Sequence, residues 1–490
     1  MAKRGDAQSV NRNVLAFCAI GALLWSGCKV GPNYKRPDVS PQSEWSPPPS
    51  TQPSMVDNAP PPANWWATLN DPKLTSLVER GCKGNLSISM AKSRIREARA
   101  MRSIAVGSLL PSVATGGSYS FNRASGPLFP SNTNDYQFYA AGFDAIWEAD
   151  IFGGVRRSVE AAQDDLQAQT DAKRGVVVSI IAEVARDYVE LRTVQQRIII
   201  AKDNIHIQNE TLELTKRLYD GGLVSKGDVT RAQAELTQTQ SQVPVLEIQE
   251  RMLIHQLGIL LGESPKSLVT ELESSGPIPS PAGRVPIGLP SDLLRRRPDV
   301  RQVERELAAA TARIGVAEAD LYPQVTLTGE FGIGSDQFAS AFNWSSRYYG
   351  VGPAVRWQLF EGGRIVANID AHKAISQELL DQYKLTILTA MREAEDALIA
   401  FNRQQDQYSL LAQSVQANEE SVSIAKDRYA NGTTDYLSLL DAERSLLQTQ
   451  DAMTASQGNI TASMIALYKA IGGGWEEIER DEGGSSIADK

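Results

Sequence analysis

The spacing of apolar positions changes along the chain, and each change predicts an element. From Tyr408 the apolar stripe steps alternately three and four residues, through Leu411, Val415, Asn418, Val422 and Ala425 to Tyr429. Ile198, Ala201, Ile205, Gln208, Leu212, Thr215 and Tyr219 step in the same way. A mean spacing of 3.5 predicts helices paired as coiled coils. The returning stripes are Ala232, Leu236, Thr239, Val243 and Leu246, and Ala442, Leu446, Thr449, Met453, Ser456 and Ile460. Many of these residues are small or polar, which suits side-by-side packing around a hollow better than a tight two-stranded zipper. Proline is absent from Arg156 to Asp220 and from Arg364 to Ala430, so each stretch is predicted as one helix. Each has about 65 residues and would run roughly 95–100 Å at 1.5 Å per residue. A globular domain cannot bury such a rod, whose stability must come from neighbouring rods.

Four segments switch to period two. Val325, Leu327, Gly329, Phe331 and Ile333 alternate with polar or small residues in Gln324–Ile333, and Val351, Pro353, Val355, Trp357 and Leu359 do so in Gly350–Phe360. Earlier in the chain Thr115, Gly117, Tyr119 and Phe121 form a third stripe. Tyr139, Ala141, Phe143, Ala145 and Trp147, set against Asp144 and Glu148, form a fourth. Strands of about ten residues with an apolar outer and a charged inner face mark outer-membrane barrels. A single such hairpin reads more simply as an ordinary surface hairpin; four strands attached to very long helices do not. Four strands cannot close a barrel, and open edges are not tolerated in lipid, so oligomerisation is forced. Three copies would give twelve strands, with the helices continuing as a tube, though two or four copies would also close.

The two halves repeat each other. KRLYDGGLVSKGDVTRAQAELTQTQ (216–240) aligns without a gap on KDRYANGTTDYLSLLDAERSLLQTQ (426–450), an offset of 210. Leu110-Pro111-Ser112-Val113 answers Tyr322-Pro323-Gln324-Val325, and Ile151-Phe152-Gly153-Gly154 answers Leu359-Phe360-Glu361-Gly362. Each half therefore reads helix, proline, strand pair, glycine turn, long helix, glycine turn, helix. Ten of the 24 prolines lie between Pro32 and Pro62 and six between Pro277 and Pro298, positions that helix interiors exclude. The expected organisation is a signal at 1–27, a proline-rich N-terminal tether at 28–72, a first repeat at 73–262, a linker at 263–297, a second repeat at 298–471 and a tail at 472–490.

The N-terminus carries an address. Lys3, Arg4 and Arg12 precede the apolar Val14–Leu24, followed by Ser26 and Gly27, the pattern of a secretory signal peptide. With Cys28 next, Leu24–Cys28 resembles the lipobox at which bacterial lipoproteins are cleaved and acylated, Trp25 standing in place of the usual leucine. That resemblance makes Cys28 the lipidation site, and Lys29, where aspartate would signal inner-membrane retention, points outward. The longest apolar run is the twelve residues Val14–Trp25, below the roughly 20 of a spanning helix. Net charge is −9, and −11 once the +2 of the first 27 residues is removed. With no concentrated basic face, nucleic-acid binding is disfavoured. Of three cysteines, Cys18 leaves with the signal, Cys28 takes the lipid, and Cys82 is expected as a packed core residue without a disulfide. The three histidines, His206, His255 and His372, are scattered, so a metal or histidine-based catalytic site is not expected. No cofactor is expected.

The motifs that carry a family resemblance are CKVGPNYKRP (28–37), DLLRRRPDVRQVERELAAATARIGVAEADLYPQVTLTG (292–329), LFEGGR (359–364) and RYANGTTDYLSLLDAERSLL (428–447). Across essentially the whole mature chain they resemble the TolC-type outer-membrane efflux family, in particular the lipoprotein branch serving RND-type tripartite drug pumps. The resemblance implies an α+β membrane protein, a homotrimer whose twelve-stranded β-barrel, four strands per protomer, continues into a long α-helical periplasmic barrel. It implies outer-membrane lipid around the barrel, and as partners a periplasmic adaptor and an inner-membrane RND-type pump. It also implies a gate where the helix hairpins converge, with Arg428 and Tyr429 in the closing links and Asp228 as acidic partner. Thr434 stands where some relatives place a basic gate residue, so the closing network has fewer links here.

The resemblance further assigns Leu437 and Asp441 to apolar and acidic constriction rings. Their spacing of four puts both on one helix face, so copies would stack two rings about a turn apart. An acidic ring would favour cations, whereas Asp441 as a solvated helix-start carboxylate is the plainer reading. The turns Gly222-Leu223-Val224-Ser225 and Gly432-Thr433-Thr434-Asp435 are the implied adaptor-docking tips, where glycine would also end the long helix. The leading expectation is a passive exit duct rather than an enzyme; Asp144, Glu148 and Asp150 read as lumen-facing charge. The same architecture in a type I protein-secretion system is the alternative, and a periplasmic scaffold that never inserts is a third reading.

Overall fold

The structure, a computed structural model, describes residues 29–38, 56–57, 59–123, 135–281, 283–288, 290 and 296–480. The expected signal peptide and Cys28 lie outside the described residues. The main elements are α1 (Pro72–Gly84), α2 (Leu86–Gly107), β1 (Ser112–Arg123), β2 (Asp135–Ala149), α3 (Gly154–Asp220) and α4 (Lys226–Leu260). After the linker come α5 (Pro298–Ala319), β3 (Gln324–Ser335), β4 (Arg347–Arg356), α6 (Arg364–Ala430) and α7 (Tyr436–Ala470). The two long helices have 67 residues each and the two returning helices 35 each, so the duplication extends to element length.

Where the second repeat opens on one helix, the first opens on two. The Asn85 side chain accepts from Ser87 N at 2.8 Å and Ile88 N at 3.2 Å, capping α2, while its Nδ2 donates to Leu260 O. A side chain that satisfies the first free N–H groups of a new helix ends the old one. Pro244 sits inside α4, against the expectation that prolines stay out of helix interiors. It is exposed, so the carbonyl freed by its missing N–H faces water.

Compactness divides the chain across both repeats. The described residues within 1–38, 94–169 and 302–383 form one unit, and those within 39–93, 170–301 and 384–490 the other. In the first unit the four strands form one antiparallel sheet in the order β1-β2-β3-β4. The register aligns Phe143 with Phe331 and Tyr349, and Trp147 with Leu327 and Pro353, while the next row aligns Asp144 with Glu330 and Gly350. Because alternate residues point to opposite faces, one face collects most of the aromatic and aliphatic rows and the other the charged, hydroxyl and glycine rows, with Phe138, Ile146 and Tyr348 among them. β1 and β4 form the outer edges of this sheet.

β4 ends at Arg356 instead of reaching Phe360. Arg356 pairs with Gln324, the first residue of β3, and Pro323 before it has no N–H to extend the ladder. Trp357 turns aside and donates Nε1 to Leu321 O at 3.0 Å, as Trp147 does to Leu109 O in the first repeat. Residues 29–38, the described start of the expected tether, lie against this unit, with Val30 N donating to Phe152 O at 3.0 Å.

The second unit holds the main core, built on Trp65, Leu77, Ile181, Tyr188, Leu257 and Tyr468, with Cys82 buried among them as expected. A two-residue parallel ladder, Val56–Asp57 against Val285–Pro286, joins the proline-rich segment to the linker. The start of the expected tail is docked too: Trp475 lies beneath Arg174 and Arg301, and Arg174 pairs with Glu479 at 2.7 Å. Among the described residues no helix is long and apolar enough to cross a membrane, and no group of His, Cys, Asp and Glu side chains could hold a metal ion.

Candidate functional site

The two helix hairpins end in turns that match hydrogen bond for hydrogen bond. In the first, Gly222 N donates to Tyr219 O at 2.8 Å and Leu223 N to Leu218 O at 2.9 Å. In the second, Gly432 N donates to Tyr429 O at 3.0 Å and Thr433 N to Arg428 O at 2.9 Å. Gly222 and Gly432 take φ of 71° and 68°, the left-handed conformation that lets each long helix stop. The caps that follow exchange partners: the Ser225 side chain accepts from Asp228 N, whereas the Asp435 side chain accepts from Ser438 N. Hydrogen bonds from Ser438, its hydroxyl first, hold the Asp435 carboxyl below its ordinary range.

Just above these turns the hairpins pack together. Leu212, Val229, Ala232, Leu236, Tyr429, Tyr436, Leu439 and Leu440 form one buried cluster. Tyr429 is 2% exposed, its ring edge-on to Tyr436 at 5.8 Å, and its hydroxyl donates to Thr215 Oγ1 at 3.2 Å. Burial, with Asp228 nearby, raises the Tyr429 phenol, so it stays a donor across the physiological range. Polar links join the same helices. Thr211 Oγ1 donates to Glu443 Oε1 at 2.6 Å, Lys426 pairs with Glu210 at 3.0 Å, and Arg444 pairs with Glu235. Further from the turns, Asn204 meets Gln450 at 3.1 Å and Arg197 meets Asp451 at 2.7 Å. Along α3 the residues Arg197, Asn204 and Thr211 are seven apart, one contact per heptad.

Within the protomer Asp228 does not meet Arg428. Its carboxylate accepts from Ser225 N at 3.0 Å and Ser225 Oγ at 2.8 Å, with Arg231 at 3.6 Å, because it completes the capping box of its own helix. Thr215 stands instead as the first-repeat partner of Tyr429, while Arg428 is exposed. Leu437, 45% exposed, and Asp441 lie on the solvent side of α7, opposite the buried Leu439 and Leu440. Of the turn residues, Gly222, Leu223, Ser225, Gly432, Thr433 and Asp435 are exposed. Val224 packs against the cluster and Thr434 is half-buried. Glu443, Thr211, Glu235 and Arg444 did not stand out in the sequence. Glu443 had a signal, since it falls on the apolar stripe Tyr436, Leu439, Leu440, Glu443, Leu446, where a carboxylate is out of place.

Beside the hairpins, α3, α4 and α7 border an open cleft of about 670 Å³ lined by Arg197, Glu235, Thr239, Leu246, Arg444 and Asp451 among others. What the arrangement offers chemically is a set of reversible links between two rigid hairpins.

Comparison with known proteins matches this architecture twice over. The family model described as outer membrane efflux protein fits residues 77–257 and again 289–473. Nodulation protein T of Rhizobium leguminosarum bv. trifolii is 31% identical over 463 residues, covering 94% of this chain and 97% of that protein. The toluene efflux pump outer membrane protein TtgC of Pseudomonas putida is 30% identical over 472 residues, covering 94% and 96%. Among solved structures, the outer-membrane channel OprN superposes with a TM-score of 0.86 at 34% identity, over 92% of this chain and all of that one. The open state of the Neisseria gonorrhoeae MtrE outer membrane channel gives 0.77 at 26% identity, over 91% and 99%.

Proposed function

The chain belongs to the outer membrane efflux protein family, and from that premise we propose that it is the exit duct of a tripartite efflux system. Three copies close one twelve-stranded barrel in the outer membrane, and an RND-type inner-membrane pump acts through a periplasmic adaptor. Small molecules pass outward through the duct, the energy coming from the pump. The observation that carries this reading is the four-stranded sheet with one apolar face, one polar face and two outer edges. A sheet of that kind becomes compatible with lipid only when copies complete it.

The hairpin ends are the gate in this reading. Tyr429 and Thr215 hold the second hairpin against the first, and Arg428, exposed beside them, reaches toward a neighbouring copy. Leu437 and Asp441, one turn apart on the open side of α7, form the two constriction rings, and Asp441 biases the opening toward cations. The exposed turn residues, Leu223 and Thr433 foremost, meet the adaptor, and Cys28 carries the lipid anchor.

The test is electrical. Arg428→Ser combined with Tyr429→Phe removes a charge and the buried hydroxyl link, and single-channel conductance in planar bilayers is expected to rise. Conductance equal to that of the wild type would remove these residues from the gate.

A further inference from the structure

The first described residues of the chain are held in place by one buried arginine. Arg157, in the first turn of α3, is 1% exposed, and almost every donor of its guanidinium is used. Nε donates to Val30 O at 3.0 Å, and Nη2 to Gly31 O at 3.1 Å and to Asn33 Oδ1 at 2.8 Å; Nη1 donates to Glu160 Oε2 at 3.0 Å. Lys29 Nζ adds a second contact to Glu160 at 3.1 Å. Burial would raise the Glu160 carboxyl, but Lys29 and Arg157 together hold it below its ordinary value.

Two glycines make room for this contact. Gly31 takes φ of 85°, and a Cβ there would lie 2.4 Å from the Cα of Gly315 on α5. A Cβ on Gly315 would lie 2.8 Å from Arg157 Nε and 2.9 Å from Val30 O. Further along, Tyr34 donates to Glu304 at 3.4 Å, Arg36 pairs with Glu304 at 3.2 Å, and Arg305 lies over the Tyr34 ring at 5.5 Å. A flexible leash requires none of this. A planar donor fork that reads successive main-chain carbonyls, beside a position where only glycine fits, admits the segment in a single register.

We propose that residues 29–36 are a strap that locks the start of the mature chain onto α3 and α5, so that the membrane anchor is a fixed part of the protomer and the strap is held by these contacts rather than by the lipid. This rests on the outer-membrane channel reading and on Cys28 as the processed, acylated N-terminus. Val30 is bonded to Phe152, in the turn between β2 and α3, so the strap delivers the acyl chain beside the foot of the barrel sheet. Arg157 acts here as a positioning residue.

The test compares full-length forms extracted from outer membranes: wild type, Arg157→Ala, Arg157→Lys, Gly31→Ala, and the wild-type mature chain beginning at Lys29 behind an ordinary cleavable signal. Trypsin cleavage after Lys35, a site common to all forms, reports the strap, and the mass of the N-terminal peptide reports acylation. Arg157→Ala and Gly31→Ala are expected to remain acylated and to be cut at least tenfold faster. Arg157→Lys rescues little, since one ammonium cannot serve four acceptors, and the unacylated chain keeps its protection.

Wild-type protection in Arg157→Ala and Gly31→Ala would overturn the proposal. So would an unacylated chain as labile as these variants, which would give the securing role to the lipid. If Arg157→Ala does not fold, Gly31→Ala decides, because it leaves α3 and α5 unaltered. A wild-type N-terminal peptide without acyl mass would overturn the anchor half of the proposal, and failure of the channel reading would show separately, as wild-type trimers that do not conduct.

Discussion

Glu443 has exchanged water for one hydrogen bond from the Thr211 hydroxyl, and burial, which outweighs the attraction of Lys426, raises its carboxyl above the ordinary value. Glu235 on α4 repels it, while Glu235 itself is neutralised by Arg444. The sign follows from proton linkage. A carboxyl raised in the packed hairpins favours packing most at acid pH, and that advantage is lost as pH rises from the ordinary carboxyl value through the raised one. Glu443→Gln, a neutral isostere, is therefore expected to make hairpin packing insensitive to pH over this window and to lower open probability at pH 7. Bilayer recordings at pH 5 and pH 7 check it; a variant as pH-dependent as the wild type would be the contrary result. Tyr429→Phe alone removes one buried hydroxyl link and should weaken hairpin packing by about 1 kcal/mol, read as a lower thermal midpoint. The stripe containing Tyr429 was legible in the sequence. Its partner Thr215 was legible only as another seam position, because a hydroxyl at a seam does not declare which helix it faces.

At the scale of elements, the long helices and their glycine turns follow from local rules. Runs without proline propagate, and a glycine at positive φ ends each run. Gly222 and Gly432 have open space where a Cβ would sit, so Gly222→Ala and Gly432→Ala carry only the left-handed penalty. Each is expected to cost about 1 kcal/mol, nearly equally, in denaturation of the purified protein. A marked inequality would mean that the two turns are not equivalent in the assembled state. Three departures from expectation have local physical causes. Asn85 caps a new helix from within an otherwise helical pattern, Pro244 is tolerated on an exposed helix face, and β4 stops where Pro323 ends its partner. Periodicity registers none of these well, since each depends on the one hydrogen bond a residue makes or lacks.

At the scale of the whole molecule, the faces of the sheet set where the chain meets lipid. Phe331 and Thr328 lie three residues apart on β3 but on opposite faces. Phe331→Arg should cost about 2–4 kcal/mol and sharply reduce trimers recovered from outer membranes, whereas Thr328→Arg should be tolerated. Equal recovery would reverse the assignment of the lipid face. The exchange of period from 3.5 to two made the strands legible, and the offset of 210 made the duplication legible. The division into units that each take pieces of both repeats was not. Repetition records how the sequence is built, whereas compactness records which segments touch.

Proline placement, periodicity and repeat spacing thus determined the elements, their order and the apolar face of the sheet, and the motifs at 28–37, 292–329, 359–364 and 428–447 carried the resemblance to the family, because each of these is written along the chain itself. Only the tertiary structure decided which distant residues became partners. It paired Thr215 with Tyr429 and Thr211 with Glu443, kept Asp228 in its own helix cap, and seated residues 29–36 on Arg157. Those pairings depend on which faces of separate helices are brought together, and a side chain's neighbours across a packed interface leave no fixed spacing in the chain that carries it.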